Sequence, residues 1–396
     1  MKVLCVFGKY QYGDPSRGLG TEYSSFIPAI KKLGHEVTHF ESWDRSLYRD
    51  FAGLNRALLD TVEKNRPDVL LAVQTNYEIW LETLEAIRLS GDVATVCWTT
   101  DDSWKYKESS RYIGKSYHAM TTTYSSVVPS YIQDGITNIL LSQWAANSDF
   151  LQEPIPASKC RYPITFIGAA HGDRKKRVEE LRSNGLEVHC FGHGWPSGPV
   201  RAEKMPEIIR ESVISLNFAN SKGDNQIKAR AFEVPGSGGF MLTEVSPGLE
   251  KYYDIGSEIV VFNDMKELVQ KARYYLANPE ERDRIALAGY ERTRRGHTYD
   301  LRMKEVLDFA LDCRNKWVYN ESDRDSVLSV PFKKHRVNSA LRLLRSLLLL
   351  PCILIWGPKR GRRVSRRILY EFSWRFLGDK TYRASGLPGR LFYNES

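Results

Sequence analysis

The chain has 396 residues, 42% of them apolar, enough for two domains of ordinary size with full cores, which excludes a disordered or fibrous protein. Its net charge of +9 is unevenly spread: residues 331–396 hold 15 Lys and Arg against 3 Asp and Glu, a balance of +12, which leaves 9 − 12 = −3 for residues 1–330. A nucleic-acid-binding body thereby loses its main support, because the basic character belongs to the tail. The six cysteines (Cys5, Cys97, Cys160, Cys190, Cys313, Cys352) form no C-x-x-C pair and have no His at ligand spacing. Neither a zinc site nor a disulfide framework is expected, and the compartment reads as a reducing cytoplasm. The apolar opening at residues 3–7 is strand-length and lacks a basic flank, so it reads as structure rather than as a secretory signal.

In chain order, residues 2–7 form a β-rich run ending at Gly8, followed by a loop holding Gly13, Gly18 and Gly20. Residues 21–33 have helical apolar spacing and stop at Gly34, and residues 36–40 are a second strand. This β-loop-α-β opening predicts a parallel sheet, continued by strands at 69–73, 93–98, 119–123 and 139–141. After a Pro-containing stretch at 153–157 the alternation restarts. Strands at 164–167, 187–191, 213–218, 240–243 and 258–262 alternate with helices at 175–183, 205–211, 227–234 and 265–277, and a helix at 298–315 is expected to finish the second half. Two α/β units in succession predict two Rossmann-like domains, 1–157 and 158–320, facing across a cleft where strand C-termini gather a ligand.

Residues 321–396 differ in kind. An apolar stretch at 339–356 is interrupted by Arg342, Arg345 and Pro351 and followed by Lys359, Arg360, Arg362, Arg363, Arg366 and Arg367. Its clean run, 347–356, is half of what a membrane span needs. Two readings fit the tail: an amphipathic segment lying on an anionic membrane surface, with Phe372, Trp374 and Phe376 at the interface, or a pair of helices docked on the body.

The stretch 224–244 (DNQIKARAFEVPGSGGFMLTE) carries the most chemistry. Asp224 or Asn225 can cap a short helix whose N-terminus favours an anion such as a diphosphate. Lys228 and Arg230 add positive charge within one turn, and Arg230 and Glu233 share a face at i, i+3. A carboxylate beside such cations suits hydrogen bonds from sugar or ribose hydroxyls. Gly236, Gly238 and Gly239 allow a tight turn that leaves room for a ligand. The plain alternative is a surface ion pair followed by an ordinary turn.

This segment resembles the donor-binding segment of GT-B glycosyltransferases, especially the CgeB-like, spore-maturation type related to glycosyltransferase families 1 and 4. The likeness rests on Lys228, Arg230, Phe232, Glu233, Gly236, Gly239 and residues 240–243. Phe166-Ile167-Gly168, Arg174, Arg177, Phe191-Gly192-His193-Gly194-Trp195, His297-Thr298-Tyr299 and Arg302 add to it. It covers residues 164–307, and the first half only loosely. The resemblance implies transfer of a hexosyl or related group from a nucleotide-diphosphate-sugar donor, with Glu233, the second Glu of an E-x7-E pattern, holding the ribose. It implies Arg174 and Lys228 as the cations that balance the departing diphosphate, which needs no metal. The first Glu of the pattern is replaced by Asn225, so the donor sugar and its activation do not carry over. His193, on a strand-end loop, is a further donor contact, whereas His297 reads more readily as a packing residue.

In the first half, Gly18-Leu19-Gly20 precedes a helix and opens toward the expected cleft, near donor or acceptor. Position 23 is Tyr23, so the dinucleotide fingerprint is incomplete. An NAD-linked oxidoreductase is left with only the β-loop-α opening and Glu41 in its favour. Asp101 and Asp102 follow a strand and are candidates to deprotonate an acceptor hydroxyl, against the alternative of helix capping. The acceptor is expected to be a glycan or lipid-linked molecule, and the location cytoplasmic and peripheral at the inner membrane face. A second functional class, a non-catalytic nucleotide-sugar or glycan binding protein on the same fold, is motivated by Asn225.

Overall fold

The computed structural model describes residues 1–219, 225–318, 335 and 337–396. They divide into two compact units, Met1–Gln143 with Met303–Ser396, and Trp144–Arg302.

The first unit is built on six parallel strands, β1 Lys2–Val6, β2 Glu36–Phe40, β3 Val69–Ala72, β4 Ala94–Trp98, β5 Ala119–Thr122 and β6 Ile139–Leu141. Their order is β2-β1-β3-β4-β5-β6. The central strands β3 and β4 are buried along their whole length, as continuous apolar runs in a parallel sheet require. The predicted first helix is present as a π turn, Glu22–Phe26, running into α1, Ile27–Lys32. Strand order reverses direction between β1 and β3, which makes the carboxyl ends of these strands a topological switch point.

The second unit holds five parallel strands, β7 Tyr162–Ile167, β8 Val188–Phe191, β9 Ser212–Asn217, β10 Met241–Glu244 and β11 Val260–Phe262, in the order β11-β10-β9-β7-β8. Its switch point lies between β7 and β9. Ile164, Phe166, Ile214, Leu216, Phe240 and Leu242 fill a core with residues of the flanking helices Arg174–Ser183, Met265–Ala277 and Pro279–Gly296. The last of these helices is absent from the sequence reading.

The units part differently from the expected break at residue 157. Residues 144–157 bond into the second unit: Ala146 N–H donates to the His297 carbonyl at 2.9 Å, Gln152 N–H to Gly236 at 3.1 Å, and the buried Arg282 reaches the Ile155 carbonyl at 3.0 Å. The helix Tyr299–Lys316 carries the chain back, and from Met303 onward it belongs to the first unit.

The described part of the tail docks on that unit. Tyr370, Tyr382, Ala384 and Tyr393 belong to the same core cluster as Leu4, Val6, Leu70 and Ile79. Tyr393 stacks edge-on against Phe51 at 4.8 Å, and the Arg367 guanidinium pairs with Glu108 at 2.9 Å. Residues 319–334 lie outside the described residues.

Candidate functional site

In the second unit the loops after β7 and β8 lock together. The Ala170 N–H donates to the His193 carbonyl at 2.8 Å, and the Trp195 indole N–H donates to the Gly168 carbonyl at 2.8 Å. His193 itself is exposed on this paired loop. Arg174, the first residue of its helix, spans the switch point. Its guanidinium donates to the Ala169 carbonyl beyond β7 at 3.1 Å and to the Phe218 carbonyl beyond β9 at 3.2 Å, and it lies 5.4 Å from the Phe166 ring centroid. Burial pulls Arg174 below the usual guanidinium range, with Asp173, Arg230, Glu244 and Arg177 as the neighbouring charges that act on it.

Arg177 donates to Asp173 at 2.7 Å and to Glu244 at 2.8 Å, and Glu244 ends β10 almost fully buried. Arg174 Nε and Glu244 Oε2 are among the buried side-chain atoms of the described residues that have no hydrogen-bond partner.

The helix expected at 227–234 runs from Arg230 to Gly236. Ala229 stands at its N-cap with no side-chain cap, so the anticipated cap by Asn225 is not formed. The Asn225 amide instead donates to the Val245 carbonyl at 2.9 Å, just past β10. Asp224, the other expected cap, lies outside the described residues. Arg230 and Glu233 do share a face, 3.0 Å apart, with about a fifth of each side chain exposed (22% and 23%). Lys228 is half-buried one turn earlier, and its carbonyl accepts the Ala231 N–H at 2.9 Å. The glycines after this helix do not open a ligand space. A Cβ on Gly238 would come within 2.5 Å of the Gln152 carbonyl oxygen, and one on Gly239 within 2.5 Å of Ile209, so they serve the close approach of neighbouring segments.

His297 is a packing residue. It is 6% exposed amid Phe232, Tyr252 and Tyr253, and its Nε2 sits 2.8 Å from the Tyr252 carbonyl. Burial pulls its pKa down to about 4, so the neutral ring donates from Nε2 and accepts the Arg302 guanidinium at Nδ1.

In the first unit, Gly18 and Gly20 close an excursion of the chain that leads, as expected, straight into the helical segment starting at Thr21. Tyr10 and Leu19 form an antiparallel bridge, and Gly20 N–H donates to the Lys9 carbonyl at 2.9 Å. Glu41 is consumed by backbone, accepting from Lys9 N–H at 2.6 Å, Trp43 N–H at 2.7 Å and Asp44 N–H at 3.1 Å. The two features that suggested a dinucleotide site are thereby explained structurally.

The two adjacent aspartates separate sharply. Asp102 is fully buried, within 2.6 Å of the Thr99 and Ser110 hydroxyls and 2.7 Å of the Tyr131 hydroxyl. Burial pushes its carboxyl above the usual range, with the Ser110, Thr99 and Tyr131 hydroxyls opposing. It presents no surface to an acceptor, which removes it as a base. Asp101 is half-buried, sits at the N-cap position, and makes no side-chain cap bond. Beside it is a carboxylate that the sequence reading missed: Glu22, 8% exposed in the first turn after the glycine loop, close against Gly20. Burial pushes the Glu22 carboxyl up, its own backbone N–H lowers it, and the charges of Asp101 and Lys105 act in opposite directions. Lys105 in turn donates to the Thr75 carbonyl beyond β3 at 3.0 Å. Its only sequence signal was a carboxylate two residues after the G-x-G.

Among the described residues, no group of three His, Cys, Asp or Glu side chains is placed to hold a metal ion. A cavity of about 640 Å³ in the first unit is lined by Arg49, Arg56, Trp80, Arg342 and Arg390 among others.

Residues 174–308 match the family described as glycosyl transferase-like. Spore protein CgeB of Bacillus subtilis (strain 168) is 21% identical over 236 residues, 53% of this chain and 73% of that protein. HepE of Anabaena, solved in complex with UDP, superposes with a TM-score of 0.53 at 12% identity over 78% of this chain and 100% of that one. Sucrose-phosphate synthase of Thermosynechococcus elongatus superposes with a TM-score of 0.56 at 11% identity, over 78% and 98%. The chain has a GT-B-type fold. The family match begins at Arg174 and takes in the Arg230–Glu233 pair, so it covers the residues gathered at the second unit's switch point.

Proposed function

We propose that this protein transfers a glycosyl group from a nucleotide-diphosphate-sugar donor to a glycan or lipid-linked acceptor. The observation that carries the reading is Arg174 laid across the strand ends of β7 and β9, with Arg230 and Glu233 nearby. Open α/β sheets bind their ligands at the switch point, and a cation fixed there before the reaction stabilises a leaving diphosphate without a reorganisation cost. In this account Arg174, Lys228 and Arg230 balance the diphosphate, Glu233 accepts hydrogen bonds from the ribose hydroxyls, and His193 on its exposed loop is a further donor contact. Asp101, half-buried beside Glu22, is the proposed general base toward an acceptor hydroxyl, a role worth about 10²–10⁴ in rate. Leaving-group stabilisation by these cations asks for no metal.

The supporting likenesses are the glycosyl transferase-like match over residues 174–308 and the UDP held by HepE on a fold of the same type. The test is a panel of UDP-, GDP-, ADP- and dTDP-sugars, read by thermal shift and by release of nucleoside diphosphate. At least one donor should raise the melting temperature and be slowly hydrolysed, and a panel with neither effect refutes the proposal. Asn225 favours a second reading, a binding protein without turnover, because its amide is engaged with Val245 and it supplies no carboxylate. Tight donor binding with no hydrolysis and no transfer would select that reading.

A further inference from the structure

The tail helix Ser339–Leu377 is broken at Gly357, whose φ of 76° is non-helical, into two arms that fold back on each other. A Cβ on Gly361 would meet the Cys352 carbonyl oxygen at 2.5 Å, and the Ser365 hydroxyl lies 3.2 Å from the Leu348 carbonyl, so the arms run in close contact. Leu341, Leu344, Leu348 and Leu349 of the first arm pack inward on Leu369, Leu391 and Phe392. The base of the hairpin is held to the C-terminal end of the tail: Arg345 donates to the Leu391 carbonyl and to Glu395, each at 2.8 Å.

The outer faces have no such cover. Leu343, Leu347, Leu350 and Leu354 recur at helical spacing along the first arm and are all exposed, Leu354 by 84%. Ile368, Phe372 and Phe376 repeat the pattern on the second arm, and Ile355 and Trp356 complete the apolar tip. Directly after the turn come the exposed cations Lys359, Arg360, Arg362 and Arg363. Arg362 lies 3.5 Å from Glu395, and among the described residues no ion pair holds the other three.

We propose that this hairpin enters the headgroup region of an anionic bilayer, tip and leucine stripe against the acyl boundary and the cations against lipid phosphates. An exposed apolar stripe needs an occupant, and a cluster of like charge beside the tip selects a negatively charged one. A second copy of the hairpin would set its own cations against Lys359, Arg360 and Arg363. Spanning is disfavoured because the second arm returns to the body, where Tyr370 and Tyr382 join the first unit's core. The proposal does not depend on glycosyl transfer.

The test is co-sedimentation of the full chain with mixed phosphatidylglycerol–phosphatidylcholine vesicles and with phosphatidylcholine vesicles alone. Two variants accompany it, Leu354→Asp with Ile355→Asp, and Lys359→Glu with Arg360→Glu and Arg363→Glu. All these positions are exposed, so circular dichroism and melting should be unchanged, and Leu347→Ser on the same stripe provides a milder check. The wild type should sediment with the anionic vesicles only, and each multiple variant should lose about tenfold or more in partitioning. A wild type that stays in the supernatant overturns the proposal. So does binding that survives the aspartate pair, which would be surface electrostatics without insertion, or self-association abolished by that pair with no vesicle binding.

Discussion

The Arg230 guanidinium stands 3.0 Å from the Glu233 carboxylate, one helical turn apart and close to the strand ends that Arg174 bridges. The pair is partly exposed, so on its own it contributes only about 0.5 kcal/mol to folding. Replacing Glu233 by Gln is therefore expected to leave the melting temperature within a degree or two while weakening donor binding about tenfold. If the carboxylate holds the ribose, a 2′-deoxy donor should bind the wild type more weakly than the ribose donor but bind Glu233→Gln equally well. Titration calorimetry of the four combinations reads this directly.

Arg174 has a structural duty as well as the proposed one. In Arg174→Lys the charge remains, but the fork that reaches both the Ala169 and Phe218 carbonyls is lost. Nucleoside diphosphate release should fall about a hundredfold, with destabilisation of about 1–2 kcal/mol by denaturant titration.

The adjacent aspartates should behave oppositely. Asp101→Asn should lose about two orders of magnitude in transfer rate while staying far more stable than the Asp102 variant. Asp102→Ala should destabilise the first unit by about 2–4 kcal/mol, because it strands the Thr99, Ser110 and Tyr131 hydroxyls in the interior. Chemical denaturation and initial rates on both variants separate the two roles.

His297 gives the second unit an acid sensitivity of known sign. Its folded pKa is lowered to about 4, from about 6.5 in the unfolded chain, so between these values the unfolded state binds more protons. Stability is fully present above about pH 6.5 and declines as the pH falls toward 4, by roughly 3 kcal/mol in all. His118, buried in the first unit and lowered to about 3, adds a loss of the same sign there. His297→Gln, which keeps a donor for the Tyr252 carbonyl, should flatten the second unit's decline across that window in melts at stepped pH.

Much of this fold is legible in residue order alone. Strands such as β1, β7 and β8 are largely apolar runs followed closely by Gly8, Gly168 and Gly192, and apolar strands with helices between them specify parallel sheets. What escapes the sequence is set by contacts between distant segments. Nothing local to Asp102 says that Thr99, Ser110 and Tyr131 will surround it, and nothing local to Asn225 says that its amide will be taken by Val245, which leaves the following helix to begin five residues later. Tyr370, Tyr382 and Tyr393 fit no single helical period, so their place in the first unit's core is invisible until the hairpin turns at Gly357. Glu22 was hidden by its position, in the first turn of a helix where acidic residues are ordinary.

The central claim, that the strand ends around Arg174 hold a nucleotide-diphosphate-sugar, is tested most directly by calorimetric titration of UDP, GDP, ADP and dTDP into the wild type and Arg174→Ala. One nucleotide should bind the wild type with a dissociation constant in the micromolar range, on the order of −8 kcal/mol, and lose at least about tenfold in the variant. Absence of binding by all four, or binding that is indifferent to Arg174, would contradict the account.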